Sequence, residues 1–157
     1  DSFFEPLGME QTTFFPKSHN NIAPTEIEDG VVVQGIVHDE SARAFARAGK
    51  VAGHAGLFST APDLLRFLEA LLKGEYPYIS AGAERGLGWE VNQPIFMGKR
   101  CGERTFGKTG FTGTSCVCDI ERGIAFVILS NRTYPTRPPD RIEIDAFRAD
   151  IADLMFR

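Results

Sequence analysis

The sequence has no long apolar run, no excess of positive charge and few cysteines. No apolar stretch approaches the roughly 20 residues that a membrane-spanning helix needs. The formal net charge of −4 gives no electrostatic reason to expect a nucleic-acid partner. Residues 1–5 contain neither an initiating Met nor a basic signal-peptide stretch, so we expect any targeting signal of a parent protein to lie outside this sequence. Localisation therefore stays unassigned.

The three cysteines are an odd number, which argues against a complete disulfide framework. Cys116 and Cys118 are two residues apart on a predicted strand and should share one face. We interpret them as small buried hydrophobic residues. The alternative is a metal site that combines them with Cys101 and a histidine, but the common C-x-x-C spacing is absent. We predict no metal and no other cofactor.

The first part of the chain, residues 1–84, is predicted to be a loop and helical segment. It contains a glycine loop, residues 53–58, and one well-marked helix at 61–73. Thr60 is a suitable N-cap, and Pro62 fits the first turn. Leucine and phenylalanine recur at helical spacing and form one apolar stripe. Its members are Leu64, Phe67, Leu68, Leu71 and Leu72.

The second part, residues 85–157, is predicted to contain antiparallel strands and a C-terminal helix. Residues 86–92, 95–97 and 104–108 are strand candidates, and residues 115–119 and 124–130 form the best hairpin signal. Residues 125–129 are apolar on both faces, which is typical of a central strand. The helix follows Pro138, and its predicted core stripe is Ile144, Phe147, Ile151 and Leu154. These elements predict an α+β fold in which helices cover an antiparallel sheet.

The tripeptide Lys108-Thr109-Gly110 is the most informative motif. K-T-G is one of three elements that penicillin-binding proteins and β-lactamases share, beside S-x-x-K and S-D-N. No serine here is followed by lysine three residues later, and neither Ser-Asp-Asn nor its Tyr-x-Asn variant occurs. The chain therefore carries a substrate-side motif without a nucleophile, which suggests part of an enzyme.

The chain resembles the C-terminal part of a serine β-lactamase-like hydrolase, the superfamily of class C β-lactamases, penicillin-binding proteins and related esterases. Five stretches carry the resemblance in the order of the family: residues 4–9, 53–64, 86–89, 106–115 and 129–132. The resemblance implies a partial β-lactamase/transpeptidase-like fold and makes the two parts of the chain a fragment of one larger domain. The missing nucleophile and Tyr-x-Asn motifs would lie upstream of Asp1.

By resemblance, the site residues are Lys108, Thr109, Gly110 and Phe111. The Lys108 ammonium would attract a substrate carboxylate and favour proton transfer, and Thr109 would donate a hydrogen bond to the same carboxylate. Gly110 would leave room for substrate to pair with the strand edge. The backbone N–H of Phe111 is the oxyanion candidate. The substrate would be a small molecule or of peptidoglycan type, and the parent a DD-peptidase, an esterase or a β-lactamase in the periplasm or outside the cell.

Alone, the chain is expected to be inactive, and to self-associate because its missing N-terminal segment would be its partner. The competing interpretation is a non-catalytic binding or interaction domain that reuses the same sheet. Other motifs leave alternatives open. His54 is a general base or a local hydrogen-bonding group, and His38-Asp39 is a charge-relay pair or two unrelated neighbours. Asn131-Arg132 borders the cleft or closes a turn.

Overall fold

A computed structural model describes residues 3–77 and 87–157 and shows an α+β fold. Within these residues, no helix is long and apolar enough to span a membrane. The elements, in chain order, are β1 (Glu26–Glu28), β2 (Val31–Val33), α1 (Glu40–Arg47), α2 (Ala61–Leu72), β3 (Glu90–Val91), α3 (Pro94–Met97), β4 (Thr105–Thr109), β5 (Ser115–Asp119), β6 (Ile124–Ile128) and α4 (Ile142–Met155).

The main sheet has the strand order β3-β4-β5-β6, and every neighbouring pair is antiparallel. Strands β5 and β6 form the predicted hairpin, in which Val117 pairs with Phe126. Strand β4 pairs with β5 along its whole length and places Lys108 opposite Cys116. A second, two-stranded sheet consists of β1 and β2.

Each face of the main sheet carries its own apolar cluster, because successive side chains on a strand point to opposite faces. On one face, Leu68 and Leu71 of α2 pack against Phe106 and Cys118. The other cluster, on the face covered by α3 and α4, consists of Phe96, Met97, Val117, Phe126, Ala152 and Phe156. The helices therefore cover the sheet from both sides, as the sequence predicts.

Helix α2 begins and ends close to the predicted residues. The hydroxyl of Thr60 caps it by accepting from the Asp63 N–H at 3.4 Å, and the last helical residue is Leu72. Asp63 is only 2% exposed and accepts hydrogen bonds from the N–H of Gln11 at 2.9 Å and the hydroxyl of Thr12 at 2.8 Å. The helix start thereby anchors the N-terminal loop.

Three of the expectations for residues 86–129 are wrong or only partly right. Residues 95–97 form the helical turn α3 rather than a strand, because Pro94 fits a first helical turn and Phe96 and Met97 are buried. The strand predicted at 86–92 is only two residues long, and Gly86 lies outside the described residues, as does the predicted boundary between 84 and 85. Strand β6 is covered on both faces but ends the sheet instead of lying at its centre, within the described part of the chain.

The predicted apolar stripe of the C-terminal helix is only partly right, because Ile151 packs against the core cluster and Ile144 is half-buried while the other two members are exposed. Phe147 and Leu154 are 48% and 50% exposed, whereas Asp145, Arg148 and Ala152 are buried. The helix turns this partly polar face inward because Arg148 hydrogen-bonds to carbonyl groups of the turn after β4. Those contacts leave one side of the apolar stripe, at Phe147 and Leu154, in solvent.

We predict that the chain self-associates through this surface. Phe147 and Leu154 expose apolar area on α4, and strand β6 is an edge that can pair with another copy. Size-exclusion chromatography with light scattering should show a mass that rises with concentration. The F147S/L154S variant should lower that mass, whereas Phe45→Ser, at an equally exposed position on α1, should not. A monomeric wild-type chain that unfolds cooperatively and binds no hydrophobic dye would contradict the prediction.

Candidate functional site

The K-T-G motif lies where β4 ends and the turn to β5 begins. Lys108 and Thr109 are the last two residues of β4, and Gly110 opens the turn. Strand β3 reaches β4 only as far as the Glu90–Gly107 pair. On that side of β4, no described strand pairs with the backbone of the motif. Such an unpaired edge can hydrogen-bond an extended peptide by strand addition.

The ammonium group of Lys108 is accessible, and its acidic partner among residues 3–77 and 87–157 is Glu90. Its Nζ lies 3.2 Å from Oε1 of Glu90, and the two side chains are 53% and 37% exposed. Exposed ion pairs of this kind contribute about 0–1 kcal/mol, because water already solvates both charges. A carboxylate ligand can therefore replace Glu90 at little energetic cost.

The turn after the motif leaves little room for side chains at two positions. The N–H of Gly110 donates to the carbonyl of Thr114 at 2.7 Å, and the N–H of Gly113 donates to the carbonyl of Gly110 at 3.1 Å. A Cβ atom at Gly110 would lie 2.2 Å from the hydroxyl oxygen of Thr114. Gly113 has φ +120°, and a Cβ there would lie 2.6 Å from Oγ of Ser130. The backbone thus requires glycine at position 113, whereas a side chain at position 110 would displace the Thr114 hydroxyl.

Phe111 presents its backbone N–H at this turn. Among the described residues, no hydrogen bond is donated by that N–H, while the Phe111 carbonyl accepts one from Nη1 of Arg132 at 2.8 Å. The ring is 54% exposed. The guanidinium groups of Arg132 and Arg137 lie 5.2 and 5.8 Å from its centroid, and the His38 ring stacks on it at 5.6 Å. Arg137 is itself paired with Glu26 and Glu40, whereas Arg132 donates to the carbonyls of Phe111 and Asp140, so Arg132 is the guanidinium that adds positive charge beside this turn.

A second arginine supports the turn from inside the protein. Arg148 is 1% exposed, and its Nη2 donates to the carbonyls of Thr114 at 2.8 Å and Gly110 at 3.1 Å. Its Nη1 donates to Asp145 at 2.8 Å. Burial lowers the pKa of Arg148, and the carboxylate of Asp145 opposes that effect. The sequence analysis did not single out Arg148. The available signal was its position as a charged residue between the apolar residues of the predicted C-terminal helix.

The charge-relay interpretation of His38-Asp39 is wrong. His38 stacks on Phe111, and its Nε2 lies 4.0 Å from Glu26, while burial is the main cause of its lowered pKa. Asp39 instead caps helix α1, accepting from the N–H of Ala42 at 2.8 Å. Hydrogen bonds, chiefly that from Ala42, hold the pKa of Asp39 well below its usual range.

His54 completes an Asp-Ser-His group that does not have triad geometry. Its Nε2 lies 3.2 Å from Oδ1 of Asp39 and 3.1 Å from the hydroxyl of Ser41. In a catalytic triad, the acid and the serine bind different imidazole nitrogens. Here both partners share one nitrogen, so the group serves as a helix cap and supplies no activated serine. No contact within the described part of the chain joins His54 to the K-T-G turn.

Asn131-Arg132 belongs to the surroundings of the motif. The side-chain amide of Asn131 donates to the carbonyl of Pro24, and Arg132 donates to the carbonyls of Phe111 and Asp140. The backbone N–H of Arg132 also donates to the carbonyl of Thr112 at 2.8 Å. The pair therefore closes a turn and, through Arg132, fixes the backbone beside Phe111.

Cys116 and Cys118 share the α2 face of the sheet as the sequence predicts, with Cys118 buried and Cys116 half-buried. Burial raises the pKa of Cys116 to about 11 and that of Cys118 to about 12. The thiol of Cys101 donates to Oδ1 of Asn92 at 3.3 Å. Over residues 3–77 and 87–157, no group of three histidine, cysteine or acidic side chains is arranged to hold a metal ion.

This arrangement agrees with the comparison with known families, in which residues 1–150 match the model of the family described as Beta-lactamase. The chain belongs to the beta-lactamase family. Lys108-Thr109-Gly110 has the sequence of the K-T-G element that β-lactamases and penicillin-binding proteins share.

Similar proteins carry a more specific name. A protein of Escherichia coli O157:H7 named "Putative D-alanyl-D-alanine carboxypeptidase" is 34% identical over 90% of this chain. Proteins of the same name from Escherichia coli K12 and Salmonella newport are 33% and 32% identical, over 90% and 85% of the chain. The matched regions cover 41%, 41% and 39% of these three relatives, so the chain spans about two fifths of their length.

We predict that Cys116 and Cys118 resist thiol reagents while the chain is folded. At pH 8, a thiol of pKa 11 is only about 0.1% thiolate, which is the reactive form. A disulfide dye reagent should therefore label Cys101 first and the other two only after unfolding in guanidinium. In the matched variant Cys101→Ser, the fast phase should disappear. A fast phase that persists in that variant would contradict the burial of both strand cysteines.

Proposed function

We propose that this chain forms the substrate-side half of a serine hydrolase that acts through an acyl-enzyme. In this proposal, the nucleophilic serine and its lysine come from a segment of the parent protein N-terminal to Asp1. The observation that carries the proposal is the accessible Lys108 on a strand edge, followed directly by a turn that presents the free N–H of Phe111. Membership of the beta-lactamase family supports the same chemistry.

The chemistry assigns a distinct task to each part of the motif. Attack of the serine on a carbonyl carbon would move negative charge to the carbonyl oxygen, and the Phe111 N–H would stabilise that oxyanion together with the N–H of the serine. The bond to the leaving group would then break, and water would resolve the acyl-enzyme. Thr109 would donate its hydroxyl to the substrate carboxylate that Lys108 attracts.

We infer a peptide with a free C-terminal carboxylate as the substrate class. The names of the similar proteins point to peptides that end in D-alanyl-D-alanine, from which such an enzyme releases the last residue. The exposed ammonium of Lys108 is suited to the terminal carboxylate, and the unpaired edge of β4 is suited to the extended peptide backbone. Esters and β-lactams that carry a carboxylate meet the same two requirements.

The first prediction from this proposal concerns the chain alone. The 157-residue sequence contains no S-x-x-K motif, so it should turn over neither a chromogenic cephalosporin nor a nitrophenyl ester. Absorbance assays at high protein concentration, with heat-inactivated protein as the control, check this. Turnover that co-purifies with the chain to homogeneity would show that it carries its own nucleophile.

The second prediction concerns Lys108 in the full-length parent. Loss of a charge-assisted hydrogen bond costs about 1.5–3 kcal/mol, so Lys108→Ala should slow acylation by a carboxylate-bearing peptide about 10- to 100-fold. A neutral ester should be affected much less, because it has no carboxylate to bind. Stopped-flow acylation assays measure both rates.

The control for that experiment is Lys73→Ala. Lys73 is also an exposed lysine in a single ion pair, with Glu69 at 2.7 Å, but it lies at the end of α2 rather than in the motif. It should leave both acylation rates unchanged. Equal losses on the two substrates in Lys108→Ala would contradict the carboxylate role. A parent without any acyl-enzyme would favour the competing interpretation, a binding domain.

A further inference from the structure

The turn after the K-T-G motif rests on a buried positive charge. Arg148 is 1% exposed, and it reaches the carbonyl of Gly110 from the side of α4. That carbonyl and the N–H of Phe111 belong to the same peptide group. Because a peptide group is planar, fixing its oxygen also fixes the direction of its N–H. The contact with Arg148 thus fixes the direction of the Phe111 N–H.

The contact also changes the strength of that donor. A charged donor at a carbonyl oxygen draws electron density toward the oxygen, and the N–H at the other end of the peptide becomes more acidic. Such hydrogen bonds are about twice as strong as neutral ones, and the effect is larger in a buried environment. The Gly110 carbonyl lies 3.1 Å from Nη2 of Arg148.

A second carbonyl holds the guanidinium in place. The same Nη2 donates to the carbonyl of Thr114 at 2.8 Å, and that carbonyl also accepts from the N–H of Gly110 at 2.7 Å. Nη2 of Arg148 therefore restrains the Gly110–Phe111 peptide group directly, and it restrains the Thr109–Gly110 peptide group through the carbonyl of Thr114. The Nε of Arg148 has no described hydrogen-bond partner, so the side chain is placed for these carbonyls at the cost of one unsatisfied donor.

We propose that Arg148 is a positioning residue of the oxyanion site, which orients and polarises the Gly110–Phe111 peptide group. This inference rests on the proposed role of the Phe111 N–H. A purely structural role is the rival explanation. It predicts lower stability without a specific change in this peptide group. A buried ion pair is often no more stabilising than apolar residues of similar volume, so stability alone does not account for the charge.

The sequence permits a direct measurement, because Gly110-Phe111 is the only Gly-Phe pair in the chain. Labelling glycine with carbonyl ¹³C and phenylalanine with ¹⁵N therefore gives one signal in a carbonyl-selected NMR spectrum. In Arg148→Met, the ¹³C and amide proton resonances of this peptide should both move upfield. Arg148→Lys keeps a charged donor and should move them less.

The matched control is Arg141→Met. Arg141 also pairs with Asp145, at 3.2 Å, but no described contact joins it to Gly110 or Thr114. It should leave the Gly-Phe signal in place. Arg141 also remains beside Asp145 in Arg148→Met, which helps that variant to fold. An unchanged signal in folded Arg148→Met, or an equal shift in Arg141→Met, overturns the proposal. If Arg148→Met does not fold, the Gly-Phe signal of Arg148→Lys is compared with that of Arg141→Met instead. An unchanged signal in Arg148→Lys, or an equal shift in Arg141→Met, then overturns the proposal.

Acylation kinetics of the full-length parent provide the second test. Removing an oxyanion donor costs about 10²–10³ in rate, and Arg148→Met only weakens and misorients one, so we expect about a tenfold lower kcat at unchanged KM. Arg148→Lys should recover part of the loss. An active parent in which Arg148→Met leaves kcat unchanged overturns this inference alone. A wild-type parent that forms no acyl-enzyme overturns the proposed function, and with it the oxyanion role.

Discussion

The contact between Arg148 and the turn after β4 determines how the C-terminal helix lies on the sheet. A guanidinium at 1% exposure must have hydrogen-bond acceptors, because an unpaired buried charge is far more costly than any packing gain. Asp145 on the same helix and the carbonyls of Gly110 and Thr114 supply them. These acceptors fix the rotation of α4 about its axis. The apolar packing of α4 therefore comes from Ala152 and Ile151, which this rotation leaves against the core cluster.

This constraint also explains why sequence periodicity succeeded for one helix and only partly for another. On α2, the buried carboxylate of Asp63 lies in the first turn and binds the N-terminal loop, so the leucines decide which face meets the sheet, and Leu68 and Leu71 are buried. For α4, the stripe of Ile144, Phe147, Ile151 and Leu154 was the stronger hydrophobic signal. Polar contacts over a separation of more than 30 residues overrode it, and periodicity does not report such contacts.

The sequence predicted the place of the motif in the fold well, and it predicted the contacts of the polar residues around the motif poorly. The K-T-G strand, its hairpin neighbours and the buried cysteines follow from local patterns, and the structure places all of them in one sheet. The pairs of residues that appear reactive in the sequence behave differently. His38 and Asp39 are adjacent but point to different partners, and Asp39 meets His54 only because it caps a helix. Adjacency in the chain says little about which side chains meet in space.

The arrangement around Phe111 suggests how a site can be prepared before its nucleophile is in place. Glycines at positions 110 and 113 allow the backbone to turn sharply, Arg148 fixes one peptide group from below, and Arg132 fixes the next through the Phe111 carbonyl. Preorganised dipoles are effective because they need no reorganisation when charge develops. This rigidity lowers the free energy gained on folding, because two flexible glycines must be ordered and one guanidinium must leave water. In the proposed enzyme, the segment that brings the serine would then need only to dock beside a turn whose N–H already has its direction.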